Sequence, residues 1–509
     1  MGTRTTTVIC FAGILSVPFA LGCPERRRVL NPEHCANNGG DSYCAEVEPD
    51  APYCTIGIGA CSIGPPYGCV ADPPAECREP CGMDGGDECL EDSGSSASDS
   101  GSGTDAETTD TDGDSSSTNS STTGPMPCLE DDDCGGGAAP FCDPAAGECV
   151  SCSALDDPDG ACASLSADEP LCVEGACVAC TAENPEVCDE QLLLCDGEMN
   201  ACIACSQHEQ CESGACELAV GRCFAPDVVV HVDGDGGQDF ETVAAAVGAV
   251  DEGMHGVIVV HELDGVLPYL GLVDVDAGKT IAILSAPGEA PIVQGTGGNA
   301  GVRVAGADTT LYVDGLSVAG NTGGLGLEVD ESTAWVDRSR IVQNSGGGVV
   351  AQNAAELVLR NSFVGGSVTN VSVLDVNDAS ATLLYSTVIG GLGGLSTGVT
   401  CTPGATVSVS NSIVLLESDN PPVTCDPAVF DHSVSETALP GEGNVSAGDF
   451  NDLSGWFTSV AGGDFHLATA PAAIGTTAQW QDGDPATDID GDARPMMDGA
   501  SDYAGADVP

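Results

Sequence analysis

The chain has very few basic and aromatic residues. Its 509 residues include 12 lysines and arginines against 79 aspartates and glutamates, giving a formal net charge of −67, and only 4% are aromatic. A polyanion of this kind repels phosphate backbones, which excludes a nucleic-acid binder. Beyond its N-terminus, no segment approaches the ~20 consecutive apolar residues that a membrane-spanning helix needs. With 42% hydrophobic residues, the chain is nonetheless too apolar for general disorder.

The first 22 residues have the pattern of an export signal. One basic residue precedes an apolar stretch that ends in Ala20-Leu21-Gly22-Cys23, and this stretch is too short to span a bilayer. The ending resembles a bacterial lipobox, in which Cys23 would carry the lipid anchor. Cleavage by an ordinary signal peptidase is the alternative. We therefore expect an exported protein that is lipid-anchored at the outer membrane or cell surface, or else secreted.

Cysteine is concentrated in two segments and is absent from residues 224–400. Residues 24–92 contain eight cysteines, and residues 128–225 contain sixteen in four sets of four. Each segment has an even number of cysteines, and an exported protein enters an oxidising compartment. We therefore predict disulfides within each segment, with the pairing left open. The CxxC joints between sets also have zinc-type spacing, but disulfides are the favoured interpretation. Residues 93–127, rich in Ser, Thr, Asp and Gly, predict a disordered acidic linker, and the four sets predict a stiff stalk.

An internal repeat defines the remaining residues, 226–509. Segments 313–318, 336–341, 359–364, 383–388 and 409–414 align at intervals of 23 to 26 residues, and each has apolar residues two apart followed by a polar bend. A strand, a bend and a second strand at this period predict the coils of a parallel β-helix. The expected fold class is all-β, with a solenoid preceded by disulfide-rich modules and a disordered linker.

The same residues resemble the pectin-lyase-like superfamily of right-handed parallel β-helices. Residues 231–247 are similar to the entry segment of pectin methylesterases, which implies a cap helix, and we expect Asp239 to be its N-cap. Residues 488–507 are similar to the closing motif of many bacterial surface β-helix proteins. The cysteine sets resemble repeats of bacterial surface lipoproteins. The catalytic motifs of the methylesterases are absent, so the resemblance implies a fold and no residue-level activity.

One column of charged residues is the candidate catalytic site. Stacking coils place Asp314 above Asp337 and Asp337 above Arg360, with Arg338 and Arg340 beside them. Two carboxylates at ~5 Å could share a proton or serve a retaining glycosidase. The alternative is an exposed column of charges in which Arg360 offsets the repulsion between the aspartates. The alternative is favoured because no aromatic sugar platform or third acid is evident nearby.

Two further sets of residues are candidate structural sites. Cys401 and Cys425 are 24 residues apart, about one coil, and we expect them to form a disulfide. Asp488, Asp490 and Asp492 could bind calcium, although Ala493 stands where an EF-hand loop needs glycine. A capping turn in which Arg494 pairs with a carboxylate is the plainer interpretation of this run. No other cofactor is expected.

These observations favour a surface protein whose non-catalytic β-helix binds a polysaccharide or a partner at the cell surface. A polysaccharide lyase, esterase or glycosidase is the second hypothesis, and a purely structural role in the envelope is the third. The strong acidity favours a neutral glycan, or an acidic one bridged by divalent cations, over a bare polyanion.

Overall fold

The computed structural model describes residues 53–54, 69–70, 128–134, 139–366, 370–390, 396–417, 420–426, 428–469 and 471–509. The chain divides into two compact units, residues 1–118 and 119–509. In the first unit the described part is an antiparallel pair of short strands, Tyr53–Cys54 and Cys69–Val70. The predicted signal, the lipidation site Cys23 and the linker lie outside the described residues.

The four cysteine sets form four repeats that share one disulfide pattern. In each set the first cysteine bonds the third and the second bonds the fourth, which confirms disulfides rather than zinc. The eight bridges are 128–142, 134–149, 152–172, 162–177, 180–195, 188–202, 205–216 and 211–223. Such short loops leave little apolar core, so the bridges themselves hold each repeat together.

Each repeat contains a small antiparallel hairpin and a short helical turn. The hairpins pair Phe141–Asp143 with Glu148–Val150, Leu171–Val173 with Ala176–Val178, Leu194–Asp196 with Ala201–Ile203, and Cys216–Glu217 with Arg222–Cys223. The helical turns are the 3-10 segments Asp131–Cys134, Cys152–Ala154 and His208–Gln210, and the α-helices α1 (Pro158–Leu165) and α2 (Glu186–Glu190). A further 3-10 turn, Pro226–Val228, leads into the main domain.

The main domain is a parallel β-solenoid, as the repeat predicted. Its strands form three parallel sheets, named here sheet 1, sheet 2 and sheet 3. Sheet 1 contains Val229–Val232, His255–Val260, Thr280–Ser285, Thr310–Asp314, Thr333–Asp337, Glu356–Arg360, Ser380–Leu384, Thr406–Ser410 and Ala428–Asp431. Sheet 2 contains Pro268–Leu270, Ile292–Gln294, Ser317–Ala319, Arg340–Val342, Phe363–Gly365, Thr387–Ile389, Ile413–Leu415, Val434–Ser435 and Val445–Ser446. Sheet 3 contains Val273–Val275, Val302–Ala305, Leu325–Asp330, Gly347–Gln352, Ser372–Asn377 and Thr397–Cys401.

Alternation along each strand builds one continuous core inside the coils. Val313, Val336 and Leu359 stack in register on neighbouring strands of sheet 1 and are at most 3% exposed. Their in-register neighbours two residues earlier, Leu311 and Ala334, are fully buried as well. Inward-facing Val, Ile and Leu side chains therefore supply the hydrophobic stabilisation of the solenoid.

A helix packs on the first coil, but its N-cap differs from the expected one. Helix α3 (Val243–Ala249) begins after Thr242, whose hydroxyl accepts a hydrogen bond from the Ala245 N–H at 3.2 Å. The prediction of Asp239 was wrong, because its carboxylate instead accepts the His231 N–H at 2.9 Å. At the C-terminal end of the helix, the buried Lys279 ammonium donates to the Val247 carbonyl at 3.3 Å. A positive charge at this end interacts favourably with the helix dipole.

The C-terminal 60 residues fold over the outer face of sheet 2. They comprise helix α4 (Phe450–Leu453), the 3-10 turns Ser454–Trp456 and Val460–Gly462, and the antiparallel pairs Phe457–Ser459 with Asp464–Leu467 and Ala478–Trp480 with Ala500–Asp502. Phe363, on sheet 2, and Tyr385, in the bend between sheets 1 and 2, belong to an apolar cluster with this segment. The buried Arg494 pairs with Asp502 at 3.0 Å and stacks on Tyr385, which confirms the capping turn.

The fourth cysteine repeat lies against the outer face of sheet 1. Phe224, 1% exposed, packs edge-on against Tyr312 with ring centroids 6.0 Å apart, in a cluster that includes Ala215, Ala282 and Leu284. The last repeat is thus part of the same packed body as the solenoid. This repeat therefore packs against the solenoid and does not project it as part of the predicted stiff stalk.

The later coils contain a further disulfide. Cys401 and Cys425 are joined, with Cα atoms 4.8 Å apart, as expected for cysteines separated by one coil. In the parts of the chain described above, no helix is long and apolar enough to cross a membrane.

Candidate functional site

The candidate site begins at the bend between sheet 1 and sheet 2. One residue of each bend adopts a left-handed conformation, with φ of 72° at Gly315, 43° at Arg338 and 46° at Asn361. In several coils the next residue is a buried serine. Its hydroxyl accepts a hydrogen bond from a backbone N–H of the preceding coil, as Ser339 does from the Leu316 N–H at 3.2 Å. This ladder fixes the bends in a column and aligns the side chains that flank them.

The predicted charged column is present and in register. Asp314 pairs with Asp337, and Asp337 with Arg360, on successive strands of sheet 1. Asp314, Asp337 and Arg360 are 6%, 5% and 9% exposed, so the expectation of an exposed column was wrong. The fourth cysteine repeat and the C-terminal segment, which repeat periodicity does not place, cover these side chains.

Every oxygen of the two aspartates already accepts a hydrogen bond. The Arg338 guanidinium donates to both oxygens of Asp314, with Nε at 2.8 Å from Oδ1. In Asp337, Oδ1 accepts the Arg338 N–H at 3.0 Å and Oδ2 accepts Arg360 Nε at 2.9 Å. A guanidinium group thus holds each carboxylate in place. The arrangement is that of two buried ion pairs, Arg338 with Asp314 and Arg360 with Asp337.

Burial and the arginines shift these carboxylates in opposite directions. Burial raises the pKa of Asp314 above its usual value, even though Arg338 opposes the shift. Burial also acts to raise the pKa of Asp337, but the Arg360 and Arg338 guanidinium groups, together with His208, outweigh burial and hold that pKa below its usual value. Asp337 with Arg360 is therefore the better compensated of the two pairs.

Two residues of the fourth cysteine repeat reach this column, and the repeat pattern did not predict them. Glu209 makes an ion pair with Arg338, and attraction to this guanidinium lowers its pKa against the opposing effect of burial. His208 is 3% exposed and its Nδ1 accepts the Cys216 N–H at 3.0 Å. Burial lowers the pKa of His208 and favours its neutral form.

These elements enclose an open cleft of 510 Å³. Its floor crosses three successive coils at residues 284–290, 314–317 and 338–340, and its walls are residues 208–214 of the last cysteine repeat and 489–491 of the C-terminal segment. Leu284, Leu316 and Ile489 are buried apolar residues of the lining, which also includes Pro287 and Ala290. The half-buried Ser285 and Ser317 add hydroxyls. Three coils at ~4.8 Å spacing give the floor a length of ~10 Å.

The cleft is polar, weakly acidic and internally paired. Four carboxylates and two guanidinium groups line it: Glu209, Glu289, Asp314, Asp490, Arg338 and Arg340. Glu289 lies 3.2 Å from His261 Nδ1 and Arg340 lies 3.6 Å from Asp490, so these charges have partners too. No aromatic side chain is among the residues that line this cleft. Recognition here must rest on hydrogen bonds and apolar contact rather than on stacking or on an unpaired charge.

The calcium candidates do not converge on one point. Asp488 is fully buried, and its Oδ1 accepts the N–H groups of Asp490 and Asp492 at 2.9 and 2.8 Å while Oδ2 accepts the Val508 N–H at 2.9 Å. Asp490 instead lies 2.8 Å from His466 Nε2. A calcium ion needs six to eight oxygens, and both oxygens of Asp488 already accept backbone N–H groups.

A different group at the cleft edge has the spacing of a metal site. Ligand atoms of His466, Asp490 and the buried Asp507 lie within 4.8 Å of one another. Arg340 Nη2 lies 3.1 Å from His466 Nε2, however, so a guanidinium already supplies positive charge at that point. His466, Asp490 and Arg340 therefore form a network of charged contacts at the wall of the cleft.

Comparison with known families finds a match over the segment that contains the cysteine repeats. Residues 110–229 match the model of a family described as "Family of unknown function (DUF8331)". The match covers less than half of the chain and ends where the solenoid begins. No curated protein matches the sequence.

Proposed function

We propose that the protein is an exported, lipid-anchored surface protein whose solenoid and last cysteine repeat together bind a short, neutral glycan without turning it over. The observation that carries this proposal is the 510 Å³ cleft across three coils, whose charged side chains are already paired with one another. A cleft of this size, lined by a few polar groups and an apolar floor, has the character of a small-ligand site. The resemblance to pectin-lyase-like proteins supports a carbohydrate as the ligand.

Charge decides between neutral and acidic glycans. The cleft carries four carboxylates against two guanidinium groups, and both guanidinium groups lie beside carboxylates. A uronate would enter against a net negative field with no unpaired cation to meet it. Hydroxyl groups, by contrast, can both donate and accept, and can exchange hydrogen bonds with carboxylates, serines and backbone alike.

The test is calorimetric titration of the full-length protein with cellotriose, mannotriose, chitotriose and trigalacturonate. We expect at least one neutral trisaccharide to bind at least tenfold more tightly than trigalacturonate, with no new product after prolonged incubation. Ala290→Trp should abolish that binding, because Ala290 is an exposed residue of the cleft and the indole would fill it.

A matched control separates the cleft from the rest of the surface. Ala176 is an exposed alanine in the hairpin of the second cysteine repeat, and Ala176→Trp should leave binding unchanged. Equal binding by both tryptophan variants would refute the cleft as the site. Cleavage or de-esterification of a trisaccharide would favour the enzyme hypothesis instead.

The anchor is tested separately from the glycan. If Cys23 is the lipidated residue, radiolabelled fatty acid supplied to cells making the protein should enter it, and Cys23→Ser should abolish that labelling. Because a multi-acyl anchor holds a protein firmly to a bilayer, the serine variant should also leave the membrane fraction. Label that persists in the Cys23→Ser variant would contradict lipidation at this residue.

A further inference from the structure

A second, much smaller cavity lies beside the inner end of the cleft. Its volume is 20 Å³, and it shares His208, Glu209 and Arg338 with the cleft. The rest of its lining is Gln207, Asp337, Arg360, Asn361 and residues 485–487 of the C-terminal segment. A space of 10–15 Å³ is enough for one water-sized group, so this cavity accepts one such group and no sugar ring.

Two residues that line this cavity each have a buried polar atom without a hydrogen-bond partner in the part of the chain that the structure describes. These atoms are Nε2 of His208 and Oδ1 of Asn361, on side chains that are 3% and 1% exposed. The charged groups around them are occupied, since Arg338 pairs with Asp314 and Glu209, and Arg360 with Asp337. Buried polar groups are almost always satisfied, so these two atoms point to a missing partner.

The neighbouring contacts decide which of the two atoms donates. His208 Nδ1 accepts the Cys216 N–H at 3.0 Å, so in the neutral ring the proton resides on Nε2. The amide of Asn361 donates through Nδ2 to the Thr487 carbonyl at 2.9 Å, which leaves Oδ1 as an acceptor. Two residues that line the cavity therefore leave one donor and one acceptor without a partner among the described residues.

We propose that this cavity is a hydroxyl-binding subsite of the cleft, in which one hydroxyl of the bound glycan accepts from His208 Nε2–H and donates to Asn361 Oδ1. The proposal rests on the function proposed above and adds its specificity. A hydroxyl supplies both a donor and an acceptor in the space of one water. A carboxylate would oppose the Asn361 oxygen, and an ammonium would oppose the His208 N–H. The subsite thus selects among neutral sugars by the position of one hydroxyl.

The experiment removes the two partners of this hydrogen bond separately. Calorimetry measures binding of the neutral trisaccharide that binds wild type, and of its monodeoxy derivatives, to the wild-type full-length protein. We expect the loss of one particular hydroxyl to weaken binding about tenfold, as for one buried hydrogen bond, while most other deoxy positions change it less than threefold. His208→Asn should weaken binding of the parent trisaccharide by a similar factor, because asparagine can keep the bond to the Cys216 N–H but lacks the Nε2 donor.

Two readouts make the result specific. His208→Asn should bind that deoxy derivative as weakly as the parent trisaccharide, since both partners of one bond are then removed. His208→Gln, whose amide can place an N–H near the position of Nε2, should recover most of the affinity. The deoxy series needs only the wild-type protein, so it remains decisive even if the His208 variants fold poorly.

The possible failures can be told apart. If no neutral trisaccharide binds wild type, the proposed function falls and the subsite falls with it. If a trisaccharide binds but no single hydroxyl matters, or the losses from deoxygenation and from His208→Asn simply add, the cavity holds an ordered water only. In that case the subsite is refuted while glycan binding by the cleft stands.

Discussion

Replacing Arg360 by methionine should lower the free energy of unfolding by about 3–5 kcal/mol. The change leaves the Asp337 carboxylate, 5% exposed, without the guanidinium whose Nε donates to it at 2.9 Å. A buried charge that has lost its partner costs far more than the pair contributes when intact. Urea denaturation of the wild-type and variant proteins, followed by circular dichroism of the sheets, measures the difference.

Two controls give this result its meaning. Arg303 and Asp274 form an ion pair at 3.2 Å on sheet 3, with side chains 35% and 40% exposed, and Arg303→Met should cost less than about 1 kcal/mol. The double variant Asp337→Asn/Arg360→Met should recover most of the lost stability, because it removes the charge as well. A loss for Arg360→Met no larger than that for Arg303→Met would contradict a buried column.

The Asp337–Arg360 pair should also make the stability of the fold decrease at acid pH. Because the pKa of Asp337 is lower in the folded protein than its usual value, Asp337 stabilises the fold above the ordinary aspartate pKa of about 4, and that stabilisation is lost as the pH falls through the folded value. Asp314, whose pKa burial raises, acts in the opposite direction. Arg360→Met should therefore remove the part of the acid-side slope that comes from Asp337.

Phe224→Ala should release the last cysteine repeat from sheet 1, with a loss of about 3–5 kcal/mol. The Phe224 ring is 1% exposed and packs against Tyr312 and His255, with centroids 6.0 and 5.8 Å away. Because residues 208–214 form a wall of the cleft, glycan binding should be lost with the docking. Hydrogen exchange should become faster in residues 205–223 and stay slow in the strands of sheet 3.

An apolar residue that lies on the surface of the same repeats is the matched control. Leu165, in helix α1, is 51% exposed, and Leu165→Ala should change stability by no more than about 0.5 kcal/mol. If Phe224→Ala left both the exchange rates and the glycan affinity unchanged, the last repeat would not be part of the site.

The regular spacing of the coil repeat and of the cysteines allowed the solenoid and its disulfide-rich repeats to be predicted from the sequence. The 23-residue interval places Asp314, Asp337 and Arg360 at one position of successive coils, and the structure pairs them in register. The cysteine sets indicated disulfides within each repeat, but not their first-to-third and second-to-fourth pairing, because four cysteines allow three pairings. Periodicity is a strong signal wherever each coil repeats the environment of the one before it.

The rest depends on contacts between distant parts of the chain. The charged column was wrongly predicted to be exposed. Residues 207–209 and 485–491, which bury it, are over 100 residues away from it in sequence. His208 was missed for the same reason, although it is the only histidine among the sixteen cysteines of residues 128–223, a signal that could have drawn attention to it. The N-cap of helix α3 was misplaced by three residues, because both Asp239 and Thr242 suit that position.

The most direct test of the composite cleft is the hydrogen-exchange footprint of the neutral trisaccharide that titrates. Bound sugar should slow exchange together in three regions that are far apart in sequence, residues 207–214, 285–290 with 314–317, and 487–491. Protection in all three, lost in Ala290→Trp, is the predicted result. Protection confined to sheet 3 or to the first three cysteine repeats would contradict the account.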